Sequence, residues 1–128
     1  MNLLLDTHTF LWWESQPEKL SSKAFALCDD AKNQLVLSVA SVWEMQIKVQ
    51  AGKLRTRRSL EEMIHQEERE NGLRVLPIEL PHVLALRDLP AYHRDPFDRL
   101  LVCQAKVEGF AIVSVDKALS GYPVEILW

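Results

Sequence analysis

The sequence has few of the residues that mark specialised protein classes. It contains two cysteines and four glycines among 128 residues, and it has no internal repeat and no linker rich in Gly, Pro or Ser. Cys28 and Cys103 lie far apart in otherwise apolar helical patterns, so we expect both to be reduced packing residues. A chain of this length is most simply one domain, residues 1–128, whose core needs no disulfide or metal to stabilise it.

Long hydrophobic runs and an excess of positive charge are also absent. No apolar run approaches the length of a membrane span, and the N-terminus lacks the basic and apolar regions of a signal peptide. We therefore expect a cytoplasmic protein with no membrane contact. The net charge of −3 excludes a protein that binds nucleic acid by bulk charge alone. It does not exclude a nucleic-acid enzyme, because metal-binding acids lower the formal charge without the ion being counted.

Short apolar segments alternate with helical patterns along the whole chain. We expect strands at 3–5, 35–38, 73–78, 110–115 and 124–126. Amphipathic or capped segments predict helices at 7–13, 22–31, 41–51, 60–71, 81–86 and 96–108. This alternation predicts an α/β sandwich with a mostly parallel central sheet.

Four acids follow these elements in comparable positions. Asp6 and Asp116 each follow a predicted strand directly, and Glu44 and Asp98 each lie in the predicted first turn of a helix. The carboxyl ends of parallel strands open on one edge of a sheet. Four carboxylates at one edge would repel one another unless divalent cations lay between them, and oxygen ligands suit Mg²⁺ or Mn²⁺. Such a site favours phosphodiester hydrolysis.

Each acid also has a structural alternative. Asp6 and Asp116 can cap helices, and Asp98 can complement a helix dipole. Glu44 can close a capping box that begins at Ser41. Each of these interactions contributes about 1 kcal/mol, so no single one decides between the two interpretations.

The most basic segment of the chain contains no acid. It is either a solvated loop or an edge that contacts phosphates or a partner. Its lysine near the start of the segment can also pair with Glu44 one helical turn earlier. The basic residues are Lys48, Lys53, Arg55, Arg57 and Arg58.

None of the four histidines pairs with a Cys or Ser at catalytic spacing. Metal chemistry supplies its own hydroxide, so we assign no catalytic role to His8 or His93. We expect His65 and His82 to lie on the surface.

Together, four motifs carry a family resemblance that spans essentially the whole chain. They are the segment 4–8, the segment 41–44 with Lys48 and residues 52–54, the block 93–101, and the segment 114–116. In this order they resemble the PIN-domain ribonucleases, and among them the VapC-type toxins of prokaryotic toxin–antitoxin pairs.

The resemblance implies a PIN-like three-layer sandwich with a central parallel sheet flanked by helices. It implies a toxin with Mg²⁺- or Mn²⁺-dependent endoribonuclease activity on RNA, for example a structured RNA such as tRNA. The implied partners are a cognate antitoxin and a second copy of the chain in a homodimer.

By position, Asp6, Glu44 and Asp116 match the first, second and fourth acids of the family. The third is Asp95 or Asp98, which lie one helical turn apart; Asp98 is assigned to it, because the segment that follows looks like the family's helix after that acid. The remaining matched residues are assigned supporting roles: Asp95 in capping, Ser114 beside Asp116, and Thr7 beside Asp6.

Other classes fit less well. A haloacid-dehalogenase phosphotransfer site requires a second Asp two residues after the first, and His8 occupies that place. The alternatives that stay open are a metal-dependent DNA nuclease and a PIN-like scaffold that binds or regulates without catalysis.

Overall fold

The central sheet has five strands, and every neighbouring pair is parallel. The computed structural model describes residues 1–128. Leu5 pairs with Leu37 on one side and with Val113 on the other, so three strands end level at the same edge. In the order β3-β2-β1-β4-β5, the strands are β1 (Asn2–Leu5), β2 (Gln34–Ser38), β3 (Arg74–Leu76), β4 (Ala111–Val113) and β5 (Ile126–Leu127).

Six α-helices and three 3₁₀ segments complete the chain. None of the helices combines the length and apolar character that a membrane span requires. The 3₁₀ segments are Pro17–Lys19, Ala85–Asp88 and Lys117–Gly121. The helices are α1 (Thr7–Ser15), α2 (Ser22–Asp29), α3 (Val39–Gln50), α4 (Leu60–Asn71), α5 (Leu80–Leu84) and α6 (Pro96–Glu108).

The strands bury side chains on both faces, which confirms the three-layer α/β sandwich. Leu3 and Leu5 belong to one core, which also contains residues of α1, α2 and α4. Leu4 points the other way, into a core built largely from α6. All three leucines are fully buried, because successive residues of a strand point to opposite faces and both faces are covered.

The prediction that α3 begins at Ser41 is wrong. Ser38 ends β2 and also caps α3, since its Oγ accepts a hydrogen bond from the Ala40 amide at 3.0 Å. The strand therefore runs directly into the helix without a connecting loop. Ser41 lies inside α3 with a buried hydroxyl that has no partner, so it forms no capping box with Glu44. Glu44 consequently lies in the second turn of α3 and not in its first.

Other differences concern boundaries and one histidine. The strands predicted at 73–78 and 110–115 pair over three residues each, and the last strand begins at Ile126. Some residues that extend the apolar runs, such as Pro77 and Val115, are exposed and unpaired, so hydrophobicity alone overestimated the lengths of these strands. The surface prediction for His82 is wrong: the side chain is 1% exposed.

Candidate active site

Asp6 joins the ends of β1 and β4. Its Oδ1 accepts a hydrogen bond from the Thr9 amide at 2.9 Å and so caps α1. Its Oδ2 accepts a hydrogen bond from the Ser114 hydroxyl at 2.5 Å. The Ser114 oxygen in turn accepts one from the Asp116 amide at 3.0 Å. One oxygen of Asp6 thus serves the helix, while the other lies at the sheet edge beside the segment that carries Asp116.

Glu44 joins α3 to α1. The Thr7 hydroxyl donates to its Oε1 at 2.6 Å, and the Lys48 ammonium lies 3.1 Å from its Oε2. The carboxylate is almost fully buried, so both contacts fix it in place. Lys48 therefore forms the intrahelical pair that the sequence offered as an alternative to RNA contact.

Asp95 and Asp98 have different environments although they lie one helical turn apart. Asp95 Oδ1 accepts hydrogen bonds from the amides of Phe97 at 2.8 Å and Asp98 at 3.3 Å, so it is the N-cap of α6. The carboxylate of Asp98 accepts nothing from its own helix, and its Oδ2 lies 3.2 Å from His93 Nε2. Of the two acids, Asp98 is the one whose side chain is directed at the other acids.

His93 lies between two of the predicted site residues, and the sequence analysis gave it no role. Its Nδ1 accepts a hydrogen bond from the Asp95 amide at 3.0 Å, so the ring proton of the neutral form lies on Nε2. That nitrogen donates to Asp116 Oδ2 at 2.9 Å and also faces Asp98. The signal available in the sequence was the short spacing from His93 to Asp95, which lets the imidazole accept from a backbone amide two residues on.

The other acids lie close enough to Asp98 to change its protonation. Burial, together with repulsion from Asp95, Asp6 and Glu44, raises the pKa of Asp98 to about 7, although His93 acts in the opposite direction. A carboxyl group of ordinary acidity would be fully ionised well below this pH. Both burial and the neighbouring acids therefore disfavour the charged form of Asp98 when no cation is bound.

Asp116 and His93 stabilise each other's charged forms. Burial tends to raise the pKa of Asp116, but hydrogen bonds from His93 and from the Ala118 amide outweigh it, so the pKa is lowered overall. The hydrogen bond to Asp116 raises the pKa of His93. Asp116 Oδ1 caps the following 3₁₀ segment, and Oδ2 faces His93. As at Asp6, one oxygen caps a helix and the other makes a contact at the sheet edge.

Two groups of side chains have enough acids and histidine to hold a metal ion: His93 with Asp98 and Asp116, and Glu79 with His82 and Glu108. In the second group, His82 Nδ1 accepts from the Glu79 amide at 3.0 Å. The proton of this imidazole therefore lies on Nε2, the nitrogen that faces Glu108.

Both histidines consequently present an N–H, so carboxylates are the ligands that each group offers. The group around His82 offers two carboxylates, those of Glu79 and Glu108, and contains no further acid. Asp98 and Asp116 have two further acids beside them, since Asp6 is linked to the Asp116 segment through Ser114 and both Asp6 and Glu44 repel Asp98. Several carboxylates this close together fit Mg²⁺ or Mn²⁺, so the edge beside β1 and β4 is the better candidate.

The basic segment lies at the other end of α1 from the acids. Lys53, Arg55 and Arg57 are exposed, whereas Arg58 Nη2 lies 2.8 Å from Oε1 of the largely buried Glu14. A cleft of ≈ 490 Å³ separates the last turn of α1 from this segment. Glu14 is roughly 10 Å along the helix axis from Thr7, so this part of the segment lies apart from the acids, whereas Lys48 contacts Glu44.

A family model described as the PIN domain matches residues 3–124. No curated protein matches the sequence.

Several solved structures share the fold over nearly the whole chain. VapBC2 from Rickettsia felis, bound to a DNA fragment from its promoter, is matched with a TM-score of 0.75 at 15% identity, over 99% of this chain and 98% of that one. FitAcB from Neisseria gonorrhoeae gives 0.67 at 18% identity, with 98% and 96% covered.

VapBC-5 from Mycobacterium tuberculosis, of the VapBC family of toxin–antitoxin systems, gives 0.61 at 16% identity, with 98% and 97% covered. At these identities the structural likeness concerns the fold, whereas the family model covers nearly all of the sequence. The chain belongs to the PIN domain family.

Proposed function

We propose that this protein is a divalent-metal-dependent endoribonuclease and the toxin of a toxin–antitoxin pair. PIN domains are nucleases that use divalent metal ions. The observation that carries the proposal is the gathering of acids around Asp98, whose pKa is raised to about 7 by burial together with repulsion from Asp95, Asp6 and Glu44. Acids that repel one another at the ends of parallel strands favour a site built for a cation.

In this proposal Asp6, Glu44, Asp98 and Asp116 hold Mg²⁺ or Mn²⁺. When bound, such an ion polarises a phosphodiester, activates water and neutralises charge on the phosphate oxygens. The contribution of the chain is to hold the oxygens in place. Ser114 orients Asp6 through the 2.5 Å hydrogen bond, and Thr7 orients Glu44.

The site also has a buried side and an open side. Asp6 and Glu44 are almost fully buried, whereas the Asp98 and Asp116 side chains are 20% and 38% exposed. We infer that the substrate phosphate approaches from the side of these two acids. His93 Nε2, which faces both of them, would then lie at the entrance to the site.

A non-catalytic scaffold would use these acids only as helix caps. Asp6 and Asp116 do cap, but each uses a single oxygen for it, and Glu44 and Asp98 cap nothing. The second oxygens of Asp6 and Asp116 contact Ser114 and His93, which belong to other parts of the chain. This division supports the nuclease over the scaffold.

The activity is tested by incubating the purified protein with total RNA, with single-stranded DNA and with duplex DNA, in Mn²⁺, in Mg²⁺ and in EDTA. We expect cleavage of RNA that requires the metal and that is lost in Asp98→Asn. The matched control is Asp88→Asn, which removes an exposed acid of the same type. Cleavage of DNA in preference to RNA would favour the alternative nuclease, and equal RNA cleavage by Asp98→Asn would refute the site.

The partner is proposed from the fold neighbours, which include a member of the VapBC toxin–antitoxin family. We expect a small DNA-binding antitoxin, encoded beside this gene, to co-purify with the chain and to inhibit its activity. Sequencing of RNA ends after induction, with Asp6→Asn as the control, would identify the RNA and the cleavage position. Size-exclusion chromatography with light scattering would test the expected homodimer.

A further inference from the structure

A glutamine lies in the most apolar part of α6. Gln104 is 0% exposed, and its neighbours Leu101, Val102, Cys103 and Ala105 are all buried hydrophobic residues. A buried amide costs free energy unless its donors and its acceptor all find partners. The position is therefore one where packing alone would favour an aliphatic side chain.

One end of the Gln104 amide is bound to the start of α3. The Ser38 hydroxyl donates to Gln104 Oε1 at 2.5 Å, and Ser38 is fully buried. The same Ser38 oxygen accepts from the Ala40 amide and so caps α3. Gln104 thus holds the residue that fixes where α3 begins.

The other end of the amide is bound to the connection that follows β3. Gln104 Nε2 donates to the Pro77 carbonyl at 3.3 Å and lies 3.3 Å from His82 Nδ1. Because that nitrogen accepts from the Glu79 amide, it carries no proton, and it can act toward Gln104 only as an acceptor. Rotating the amide by 180° would place its oxygen against two acceptors, so the network permits a single orientation.

We propose that Gln104 is a positioning residue that sets the separation of the Glu44 and Asp98 carboxylates. Glu44 lies six residues beyond Ser38 on α3, and Asp98 lies six residues before Gln104 on α6. The Ser38–Gln104 hydrogen bond is the polar contact that fixes these two helices against each other near the sheet edge. A metal site requires its ligands to be held within about 0.5 Å. This inference rests on the proposed function.

The test measures Mn²⁺ binding to the full chain by isothermal titration calorimetry, beside the melting temperature of the apo protein. Gln104→Met keeps the length of the side chain but removes the amide. Val102→Ala is the matched control, because it removes buried atoms from the same helix without touching a hydrogen bond. Ser38→Ala removes the other half of the contact and serves in place of Gln104→Met if that variant does not fold.

We expect Gln104→Met to weaken Mn²⁺ binding by about tenfold, whereas Val102→Ala stays within about twofold of the wild type at a comparable loss of melting temperature. Ser38→Ala breaks the same contact and also removes the cap of α3, so it should weaken Mn²⁺ binding at least as much as Gln104→Met. Wild-type affinity in Gln104→Met, or a loss no greater than that of Val102→Ala, would overturn the inference. A wild-type protein that binds no Mn²⁺ would instead overturn the proposed function, and the inference with it.

Discussion

At the scale of single residues, the structural and functional interpretations of an acid turn out to be compatible. Asp6 caps α1 with Oδ1 and accepts from Ser114 with Oδ2. Asp116 repeats this arrangement with the Ala118 amide and His93. A carboxylate has two oxygens and about four acceptor sites, so one group can satisfy a helix terminus and still face a site.

Asp98→Asn should stabilise the apo protein at neutral and higher pH. Because the pKa of Asp98 is raised to about 7, the folded state retains a proton that the unfolded state loses near pH 4. Wild-type stability therefore falls as the pH rises from about 4 to about 7, and an asparagine does not ionise. At pH 8 we expect a melting temperature higher by roughly 4 °C, which corresponds to about 1 kcal/mol.

Melting curves of the wild type and Asp98→Asn between pH 4 and pH 8, in EDTA, check this prediction. The difference should grow up to about pH 7 and then stay constant. Asp88→Asn, which changes an exposed acid, should show no such growth. A difference that is independent of pH would mean that Asp98 titrates normally.

Thr7→Val should impair the site while leaving the fold intact. Thr7 Oγ1 is the hydrogen-bond donor to Glu44 Oε1 at 2.6 Å, and valine has the same shape without the hydroxyl. We expect about a tenfold loss of metal-dependent RNA cleavage. Thr7→Ser keeps the hydroxyl and should retain activity within about threefold, so equal losses in the two variants would show that the methyl group matters instead.

At the scale of elements, caps decide where the acids lie. Asp95 and Pro96 start α6, and this start places Asp98 in its first turn as the sequence predicted. Ser38 starts α3 three residues earlier than the predicted Ser41, and Glu44 then lies in the second turn. Because α3 follows its strand without a loop, Glu44 reaches the sheet edge from the second turn. Asp98 reaches the same edge from the first turn, because α6 begins after a loop.

The basic segment should divide into two parts with different roles. Arg55 and Arg57 are exposed, so Arg55→Gln with Arg57→Gln should leave the melting temperature unchanged and weaken RNA binding. The slope of log affinity against log salt should become shallower by about 1.4, since each phosphate contact to a single strand contributes about 0.7. Filter binding at several salt concentrations measures this slope, and an unchanged slope would make the segment a solvated loop.

Arg58→Gln is compared with the double variant of the exposed Arg55 and Arg57. Arg58 pairs with the largely buried Glu14, so its loss would leave that carboxylate without its charged partner and with only the Ser15 hydroxyl as a donor. We expect a lower melting temperature and no separate change in the salt slope. The reverse result would place Arg58 among the RNA contacts.

At the scale of the whole molecule, the strand order creates the site. From the central β1 the sheet continues to β2 and β3 on one side and to β4 and β5 on the other. The connections diverge there, and ligands of open α/β sheets bind at such a point, outside the carboxyl ends of the strands. Asp6 directly follows β1, and Asp116 lies three residues beyond the end of β4, so they flank this point.

Mn²⁺ should raise the melting temperature of the whole chain. An ion that binds only the folded state stabilises it by about 2.7 kcal/mol when its concentration is 100 times the dissociation constant. The shift should disappear in Asp98→Asn. It should persist in the double variant of Glu79→Gln with Glu108→Gln, because His82 presents an N–H to that group. A shift that depends on Glu79 and Glu108 would move the metal site there.

The sequence by itself determined the layers of the fold and the four acids proposed for the site. Three buried leucines that end at Asp6 indicate a strand covered on both faces, and alternating strands and helices indicate a parallel sheet. These signals are local, because hydrophobic periodicity and capping residues act within a few positions. They also predicted where α4 and α6 end, since Gly72 and Gly109 both adopt the left-handed conformation.

Only the tertiary structure decided how the acids are held and which of them interact. His93 meets Asp116 across 23 residues, and Gln104 meets Ser38 across 66. A polar residue in an apolar helix pattern carries no local sign of its distant partner. The partner depends on which elements the sheet order brings side by side, and so does the pKa of Asp98, which depends on Asp6 and Glu44.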